Sequence, residues 1–207
     1  MEKKYVVGID FGTTGSKTLI VDLEGNEIGV GSLENPISYP EPNSFEITPE
    51  DFEKTLFSTT KLALEKSGIN PNEILAVSLT SIRSHFGLYD KEGRDVCSMI
   101  LWPDNRTDIM DAEIRETIQK AGYTLDEFYD ATGFPHVGIM PLFRLLYTRK
   151  RWPETFARIE KICTLQGAMI KLYGDGPLVD GVEDRVWFQL FDPTTGRPLE
   201  KLIKAFG

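Results

Sequence analysis

The sequence predicts a mixed α/β domain in which a sheet with antiparallel and parallel strands is flanked by helices. Three observations carry this prediction: β-branched runs separated by turns open the chain, a continuous apolar run covers 74–79, and stretches with helical periodicity follow. With 207 residues, 41% of them hydrophobic, the chain is long enough for one domain with a substantial core.

The first third of the chain predicts three consecutive strands. An apolar run over 5–9 ends on Asp10, and β-like runs cover 17–23 and 27–33. The turn Glu24-Gly25-Asn26 joins the last two runs and is typical of a hairpin. These features together indicate an antiparallel start to the sheet.

A proline-rich connection then leads into the first helix. The segment 35–49 contains four prolines and cannot be regular throughout, and long connections in compact domains are often functional. Thr48 and Pro49 provide a capping hydroxyl and a proline at the first helical position, followed by two acids. A helix is therefore predicted from Pro49 until Ser67 and Gly68 end it.

The remaining elements are predicted from apolar continuity and helical spacing. The run 74–79 indicates a strand buried on both faces, and a further strand is predicted over 98–102, after a turn at 90–93. Helices are predicted over the segments 107–121, 141–151, 153–161, 165–172 and 182–190, with a break at 174–177.

The turn after the first strand has the composition of a phosphate-binding loop. Its glycines let the backbone approach a ligand, its amides can form an anion nest, and its hydroxyls add donors. Lys17 adds a compact positive charge, and Asp10 is placed to hold a divalent cation directly or through water. The candidate phosphate-binding residues are Gly12, Thr13, Thr14, Gly15, Ser16 and Lys17.

Two better-known phosphate motifs do not fit this turn. The Walker motif places glycine and lysine side by side before a helix, whereas here Ser16 separates Gly15 from Lys17 and a strand follows. The dinucleotide fingerprint needs three glycines that open a helix. The alternative is an ordinary hairpin rich in glycine and threonine beside a solvated Asp10.

The segment 10–17, Asp-Phe-Gly-Thr-Thr-Gly-Ser-Lys, resembles the first phosphate motif of the actin-like ATPase superfamily, and within it the FGGY carbohydrate kinases. The resemblance implies an actin-like (ribonuclease H-like) lobe that binds ATP and Mg²⁺. It gives Asp10 the metal-binding and catalytic position. The small-molecule partners it implies are ATP and a sugar or polyol.

The same resemblance implies an acceptor site after the strand at 74–79. Its two polyol-contacting positions fall on Arg83 and Ser84. Glycerol kinases carry an acid where this chain has Ser84 and a tyrosine where it has Ile139, while xylulokinases carry Met-His at positions 83 and 84. A salt-bridged surface arginine is the alternative for Arg83.

The segment 101–106 resembles the family's Trp-x-Asp-x-Arg signature. It implies that Trp102 packs on the sugar and that Asp104 hydrogen-bonds its hydroxyls. The alternative is that Trp102 belongs to the core and Asp104 caps the next helix. The Thr132-Gly133 pair also matches the family, and His136 beside it is interpreted as a satisfied surface histidine rather than a base.

Composition excludes several classes of partner and site. A net charge of −9 and a pI near 4.8 argue against nucleic acid and acidic membranes. No apolar run is long enough to span a membrane, the first four residues do not resemble a signal peptide, and Cys97 and Cys163 are interpreted as reduced. We therefore expect a cytoplasmic protein, and a homodimer is kept open as its assembly.

FGGY kinases have two lobes, and the second carries the general base and the adenosine motifs. Residues 1–207 are therefore predicted to be the N-terminal lobe alone, without the C-terminal lobe and with little or no kinase activity. Two alternatives are a kinase for a non-standard polyol such as an autoinducer, and a non-catalytic actin-like scaffold.

Overall fold

The computed structural model describes residues 4–174 and 176–207. Outside these ranges lie Met1, Glu2, Lys3 and Asp175, the last of which belongs to the predicted break at 174–177. The strands are β1 (Tyr5–Phe11), β2 (Gly15–Asp22), β3 (Glu27–Glu34), β4 (Glu46–Ile47), β5 (Ile74–Ser81), β6 (Phe86–Tyr89), β7 (Met99–Ile100) and β8 (Lys161–Thr164). The α-helices are α1 (Pro49–Ser67), α2 (Asp111–Lys120), α3 (Leu125–Thr132), α4 (Pro141–Arg151), α5 (Pro153–Phe156), α6 (Leu165–Tyr173), α7 (Val182–Arg185) and α8 (Glu200–Phe206). Short 3-10 helices cover Pro71–Glu73, Asn105–Met110 and Val186–Phe188.

A four-stranded sheet with the order β3-β2-β1-β5 organises the first half of the molecule. β1 pairs with β2 and β2 with β3 in antiparallel fashion, whereas β1 and β5 are parallel. The predicted mixed sheet and its antiparallel start are therefore confirmed. Two small antiparallel pairs, β4 with β7 and β6 with β8, extend the structure.

The main core lies between this sheet and helices α1 and α6. Val7, Ile9 and Phe11 alternate along β1 and are almost fully buried on one face. Helix α1 packs so closely on β3 that a Cβ on Gly31 would lie 1.9 Å from the carbonyl oxygen of Thr59. Only glycine permits this contact, because any side chain there would overlap the helix backbone.

Helix α1 has both predicted termini. The Thr48 hydroxyl accepts a hydrogen bond from the Asp51 amide, and Pro49 occupies the first helical turn. Gly68 ends the helix in the left-handed conformation at φ 62°. These local signals fix the helix that closes the core over the sheet.

The prediction that the run 74–79 is buried on both faces is wrong. The strand forms as β5, but within the described residues it pairs only with β1 and lies at the sheet edge. Leu75 and Val77 are therefore about half exposed, at 56% and 49%. Continuous apolar character indicated a strand correctly but could not reveal what covers it.

A second core holds the helices of the other half together, around residues such as Ile114, Phe128 and Phe143 from α2, α3 and α4. The predicted helices at 141–151 and 165–172 are confirmed as α4 and α6. Helices α3 and α8 complete this half and were not predicted.

Four predicted elements have different boundaries or types. The strand predicted over 98–102 is only two residues long, and the helix over 107–121 is split into a 3-10 helix and α2. The helix over 153–161 stops at Phe156, because the following residues form β8 against β6. The helix over 182–190 is α7 followed by a 3-10 turn that ends at Gln189, φ 59°. Strands distant in sequence, β4 and β6, pair with β7 and β8 and thereby decide the first and third of these cases.

Within the described ranges, no helix combines the length and apolarity that crossing a membrane would require. Cys97 and Cys163 are both free thiols, as expected from the sequence.

Candidate active site

The phosphate turn, residues 12–17, is a tight connection between β1 and β2. The Gly12 amide donates to the Gly15 carbonyl oxygen at 3.0 Å, which closes the turn. A Cβ on Gly12 would lie 2.7 Å from that same oxygen. A glycine is required at this position because any larger residue would open the turn.

Asp10 and Lys17 lie side by side next to this turn. They are directly paired residues of β1 and β2, so they share one face of the sheet, and both are exposed. No ion pair joins them within the part of the chain that the structure describes. The Asp10 carboxylate and the Lys17 ammonium group are thus both available to a ligand at the end of β1.

The carboxylate of Asp10 and the ammonium group of Lys17 suit a nucleotide that is bound together with magnesium. Across the described residues, no group of three or more His, Cys, Asp or Glu side chains could hold a metal ion by itself. Mg²⁺ is commonly held by one or two carboxylates, water and substrate phosphates, and Asp10 offers one such carboxylate.

Ser16 does not offer the free hydroxyl that the sequence predicted. Its side chain is buried and donates to Asn35 Oδ1 at 2.7 Å. Asn35 in turn donates from Nδ2 to the Gly12 carbonyl oxygen at 2.9 Å. Ser16 and Asn35 therefore brace the turn from behind, and the Ser16 hydroxyl is not available to a ligand. Asn35 was missed because nothing in the proline-rich connection marks it.

The segment 81–85 follows β5 and carries Arg83 and Ser84. Ser84 has a left-handed backbone at φ 67°, which is uncommon for a residue other than glycine. Its hydroxyl donates to the Ile139 carbonyl oxygen at 2.5 Å and accepts from Arg144 Nη2 at 2.8 Å. The Ser84 hydroxyl is thus turned toward α4 and its preceding loop.

Arg144 is fully buried beneath this segment. Its guanidinium donates to the carbonyl oxygens of Ser84 and Ile139, and within the described structure Nε has no partner. Burial without a contacting carboxylate lowers the pKa of Arg144 to about 9. Arg144 therefore fixes the segment that carries Arg83, at the expense of a poorly solvated charge.

His85 connects the Arg83 segment to Trp102. Its Nε2 accepts the main-chain N–H of Trp102 at 2.9 Å, so Nδ1 carries the proton and donates to the Arg83 carbonyl oxygen at 2.8 Å. Burial, together with the nearby charge of Arg144, lowers the pKa of His85 to about 3. The ring is consequently neutral at physiological pH.

Trp102 joins this connection to the phosphate turn. Its indole N–H donates to Thr13 Oγ1 at 3.2 Å, and the side chain is 41% exposed. Trp102 is therefore neither a core residue nor remote from the turn. Through Trp102 and His85, Thr13 is linked to the main chain of Arg83 by hydrogen bonds.

Asp104, by contrast, is buried and fully occupied. Its carboxylate accepts from the amides of Phe45 and Arg106 and from the Arg106 guanidinium, which also contacts Glu41 and Glu46. It is the N-cap of the 3-10 helix that follows. This geometry corresponds to the capping alternative and leaves no oxygen facing a polyol.

A cleft of about 70 Å³ opens beside Arg83, at the end of β5. Asp184, Gln166 and Trp187 line it together with Arg83 and Ser84. The sequence reasoning did not select Asp184, Gln166 or Trp187, because they lie 80 or more positions from Arg83 in segments without a motif. A polar cleft with an arginine and an aspartate can bind several hydroxyl groups at once.

Comparison with known proteins shows which protein family this chain is similar to. The model of the FGGY family of carbohydrate kinases, N-terminal domain, matches residues 5–175. A glycerol kinase from Thermococcus gammatolerans is 33% identical over 135 residues, covering 63% of this chain and 27% of that protein. The chain therefore spans only about a quarter of the curated relatives it matches.

Solved structures share the fold over nearly the whole chain. A xylulose kinase from Rhodospirillum rubrum superposes with a TM-score of 0.84 at 19% identity, covering 98% of this chain and 40% of that one. Plasmodium falciparum glycerol kinase with ADP gives a TM-score of 0.79 at 20% identity, covering 100% of this chain and 41% of the other. The actin-like fold predicted from the sequence is thereby confirmed.

Proposed function

Because the chain belongs to the FGGY family of carbohydrate kinases, we propose that it forms the N-terminal lobe of an enzyme that transfers phosphate from ATP to a sugar or polyol hydroxyl. In this proposal residues 1–207 supply one wall of the active site and a second lobe supplies the other. Mg²⁺ dependence, a cytoplasmic location and a homodimer are predictions of the same proposal.

The observation that carries this proposal is the double hydrogen bond of Trp102. Its indole N–H reaches Thr13 in the phosphate turn, and its main-chain N–H reaches His85 beside Arg83. Phosphoryl transfer depends mostly on holding donor and acceptor in line and on neutralising charge. A residue that joins the two binding regions suits that requirement.

The phosphate side of the cleft has the parts needed for a nucleotide. ATP would supply the phosphoryl group, and Mg²⁺ would neutralise part of its charge. We assign the metal to Asp10, the phosphate oxygens to Lys17 and the amides and hydroxyls of Thr13 and Thr14, and the close backbone approach to Gly12 and Gly15. Ser16 braces this turn through the hydrogen bond of its hydroxyl to Asn35. Plasmodium falciparum glycerol kinase, which shares the fold, was solved with ADP.

On the acceptor side, we assign hydroxyl binding to Arg83 and apolar packing against the sugar to Trp102. The family resemblance gives Ser84 and Asp104 a role in acceptor binding, and that role stays a prediction. Their observed bonds favour indirect support, because the Ser84 hydroxyl is engaged with Ile139 and the Asp104 carboxylate with Arg106.

A non-standard polyol is a second candidate acceptor. Ser84 and Ile139, the two positions where the chain departs from glycerol kinases, are hydrogen-bonded to each other. The residue types at both positions therefore differ from those of glycerol kinases, which favours a different acceptor. A panel of sugars and polyols tested against the two-lobed enzyme would separate this candidate from a standard one. The scaffold alternative expects the side chains of Arg83, Trp102 and Asp104 to be scattered. His85 joins the main chains of Arg83 and Trp102, whereas Asp104 is buried on Arg106.

The test of the proposed function is Mg–ATP binding by the 207-residue chain, followed by backbone amide NMR. We expect shifts concentrated at residues 12–17 and no sugar-dependent ATP turnover, because one lobe cannot exclude water from the reaction. Lys17→Ala should weaken binding about tenfold, as expected for losing one charged hydrogen bond.

Lys54→Ala is the matched control, since it removes the same charge from the exposed side of α1. Equal effects of the two substitutions, or the absence of shifts in the turn, would contradict the nucleotide assignment. Sugar-dependent turnover by this chain would contradict its assignment as a single lobe.

A further inference from the structure

The cleft beside Arg83 contains two opposite charges that do not touch. Arg83 and Asp184 both line it, yet no ion pair within 4 Å joins them in the described part of the chain. The positive charge of Arg83 is close enough to act on the pKa of Asp184, which it lowers. The space between them can therefore take a ligand that bridges the two side chains.

Arg83 is oriented within this cleft by an aromatic ring. Its guanidinium carbon lies 5.8 Å from the centroid of the Trp187 ring, in the range of a cation–π contact. The nitrogen atoms of Arg83 make no hydrogen bond to protein in the described ranges, whereas its carbonyl is held by His85. The guanidinium is thus positioned but keeps its donors for a ligand.

Ser84 leaves Arg83 without an acidic neighbour in sequence. The Ser84 hydroxyl is occupied by Ile139 and Arg144, so it adds no acceptor to the cleft. Asp184 is the aspartate among the residues that line this cleft. The acceptor group that balances Arg83 thus comes from α7 rather than from the Arg83 segment.

We propose that Asp184 is a specificity-determining residue that, with Arg83, binds neighbouring hydroxyls of a neutral polyol or sugar and rejects acceptors that carry a carboxylate. This inference rests on the proposed function, because it assigns the acceptor class of the same cleft. It makes α7 part of the acceptor site.

The chemistry of the pair explains the selection. Each hydroxyl can accept a hydrogen bond from Arg83 and donate one to Asp184, so two adjacent hydroxyls satisfy both side chains. A carboxylate can satisfy Arg83 but places a negative charge beside Asp184 and has no proton to donate to it. Burial raises the pKa of Asp184, and the negative charges of Glu183 and Asp180 also raise it. A further negative charge on a ligand beside this partly desolvated carboxylate is therefore repelled.

The test compares two probes on the 207-residue chain by amide NMR titration at pH 7.5. Xylitol represents neutral polyols and gluconate represents carboxylated ones. We expect the chain to bind xylitol at least about tenfold more tightly than gluconate, equal to about 1.4 kcal/mol. Asp184→Asn should weaken xylitol and strengthen gluconate, so that the ratio of the two affinities falls about tenfold or reverses.

Glu183→Gln is the matched control, because it removes the same charge one residue away and does not line the cleft. Its affinity ratio should equal that of the unaltered chain. A ratio unchanged by Asp184→Asn, or changed equally by Glu183→Gln, overturns the proposal. So does an unaltered chain that prefers gluconate or binds neither probe. Thermal unfolding of each variant confirms that only folded proteins are compared.

A Mg–ATP titration of the same samples separates this inference from the proposed function. Shifts at residues 12–17 test the nucleotide assignment, and they should be the same in Asp184→Asn and in the unaltered chain. A sample that binds Mg–ATP and fails the xylitol test contradicts the role of Asp184 alone. Loss of the Mg–ATP response contradicts the kinase proposal, whatever the polyol result.

Discussion

The phosphate turn is one contiguous stretch, residues 12–17, whereas the acceptor cleft draws its lining from the four segments 80–85, 141, 164–166 and 184–188. The turn is braced by a neutral pair, Ser16 and Asn35. The cleft rests on a buried charge, Arg144, and on the neutral ring of His85. A short motif can thus specify the conformation of a turn, whereas the lining of the cleft depends on how distant segments pack.

This difference predicts unequal responses to mutation. Changes beneath the acceptor cleft should cost more stability, because buried charges and their partners are involved. Changes in the turn should alter nucleotide binding first. The four substitutions and conditions below test that contrast, beginning with the largest expected effect.

Asp104→Ala should have the largest effect, a loss of about 3 kcal/mol in the free energy of unfolding. It removes the carboxylate that holds the buried Arg106 and leaves the Phe45 amide without its acceptor. Urea denaturation measures the loss, and Asp130→Ala, an exposed aspartate on α3, is the control. A stable Asp104→Ala variant that loses xylitol binding would restore Asp104 as an acceptor contact.

Gly12→Ala should destabilise the fold by about 1–3 kcal/mol, because its Cβ would overlap the Gly15 carbonyl that closes the turn. We also expect Mg–ATP binding to be lost. Gly8→Ala is a matched control in the same strand, since a Cβ there has no heavy atom within 4 Å. Comparable Mg–ATP affinity in both variants would show that the turn does not require its close approach.

Lowering the pH from 6.5 to 5 should reduce the free energy of unfolding by about 2 kcal/mol through His85. Its folded pKa of about 3 lies below the unfolded value of 6.5, so the unfolded chain binds the extra proton in this window. The contribution is present above pH 6.5 and is lost progressively toward pH 3.

Denaturant unfolding of His85→Gln at the two pH values measures this effect, and His136→Gln is the control because the chain has two histidines. In the His85→Gln variant, the free energy of unfolding should lose the part of its pH dependence that comes from one protonating group. In NMR of the folded chain the His85 ring should not titrate between pH 5 and 8. A ring that titrates near pH 6 would show that the link between Arg83 and Trp102 is pH-sensitive.

Trp102→Phe should have the smallest effect, about 1 kcal/mol, because it removes a single partly exposed hydrogen bond to Thr13. The loss should appear as weaker coupling, measured as the change in Mg–ATP affinity when xylitol is present. Trp152→Phe, in the second core, is the control. Undiminished coupling in Trp102→Phe would mean that the two regions communicate by another route.

The phosphate turn could be predicted from sequence almost residue by residue, because its chemistry depends on neighbours within six positions. The exception is Ser16, whose hydroxyl is taken by Asn35, 19 positions away. The same limit explains β5 and β8. Apolar content indicated a strand over 74–79, but whether it is buried depends on which elements pack on it, and β8 forms only because β6 offers a pairing partner.

The acceptor cleft shows where sequence reasoning stops. Arg83 and Trp102 were selected because they stand at motifs, and the structure links their main chains through His85. Asp184 and Arg144 stand at no motif: Arg144 is buried and bonds Ser84 across 60 positions, and Asp184 reaches the cleft of Arg83 from a distant segment. No local pattern encodes such contacts.

The sequence by itself determined the family, the antiparallel opening of the sheet, the first helix with its caps, and the glycines of the phosphate turn. These features depend on backbone conformations and short-range hydrogen bonds, which a few adjacent residues fix. Only the tertiary structure decided that Ser84 turns toward α4, that Asp104 is buried on Arg106, and that Asp184 faces Arg83. Each of those outcomes depends on desolvation and charge pairing between segments that meet only after the chain has folded.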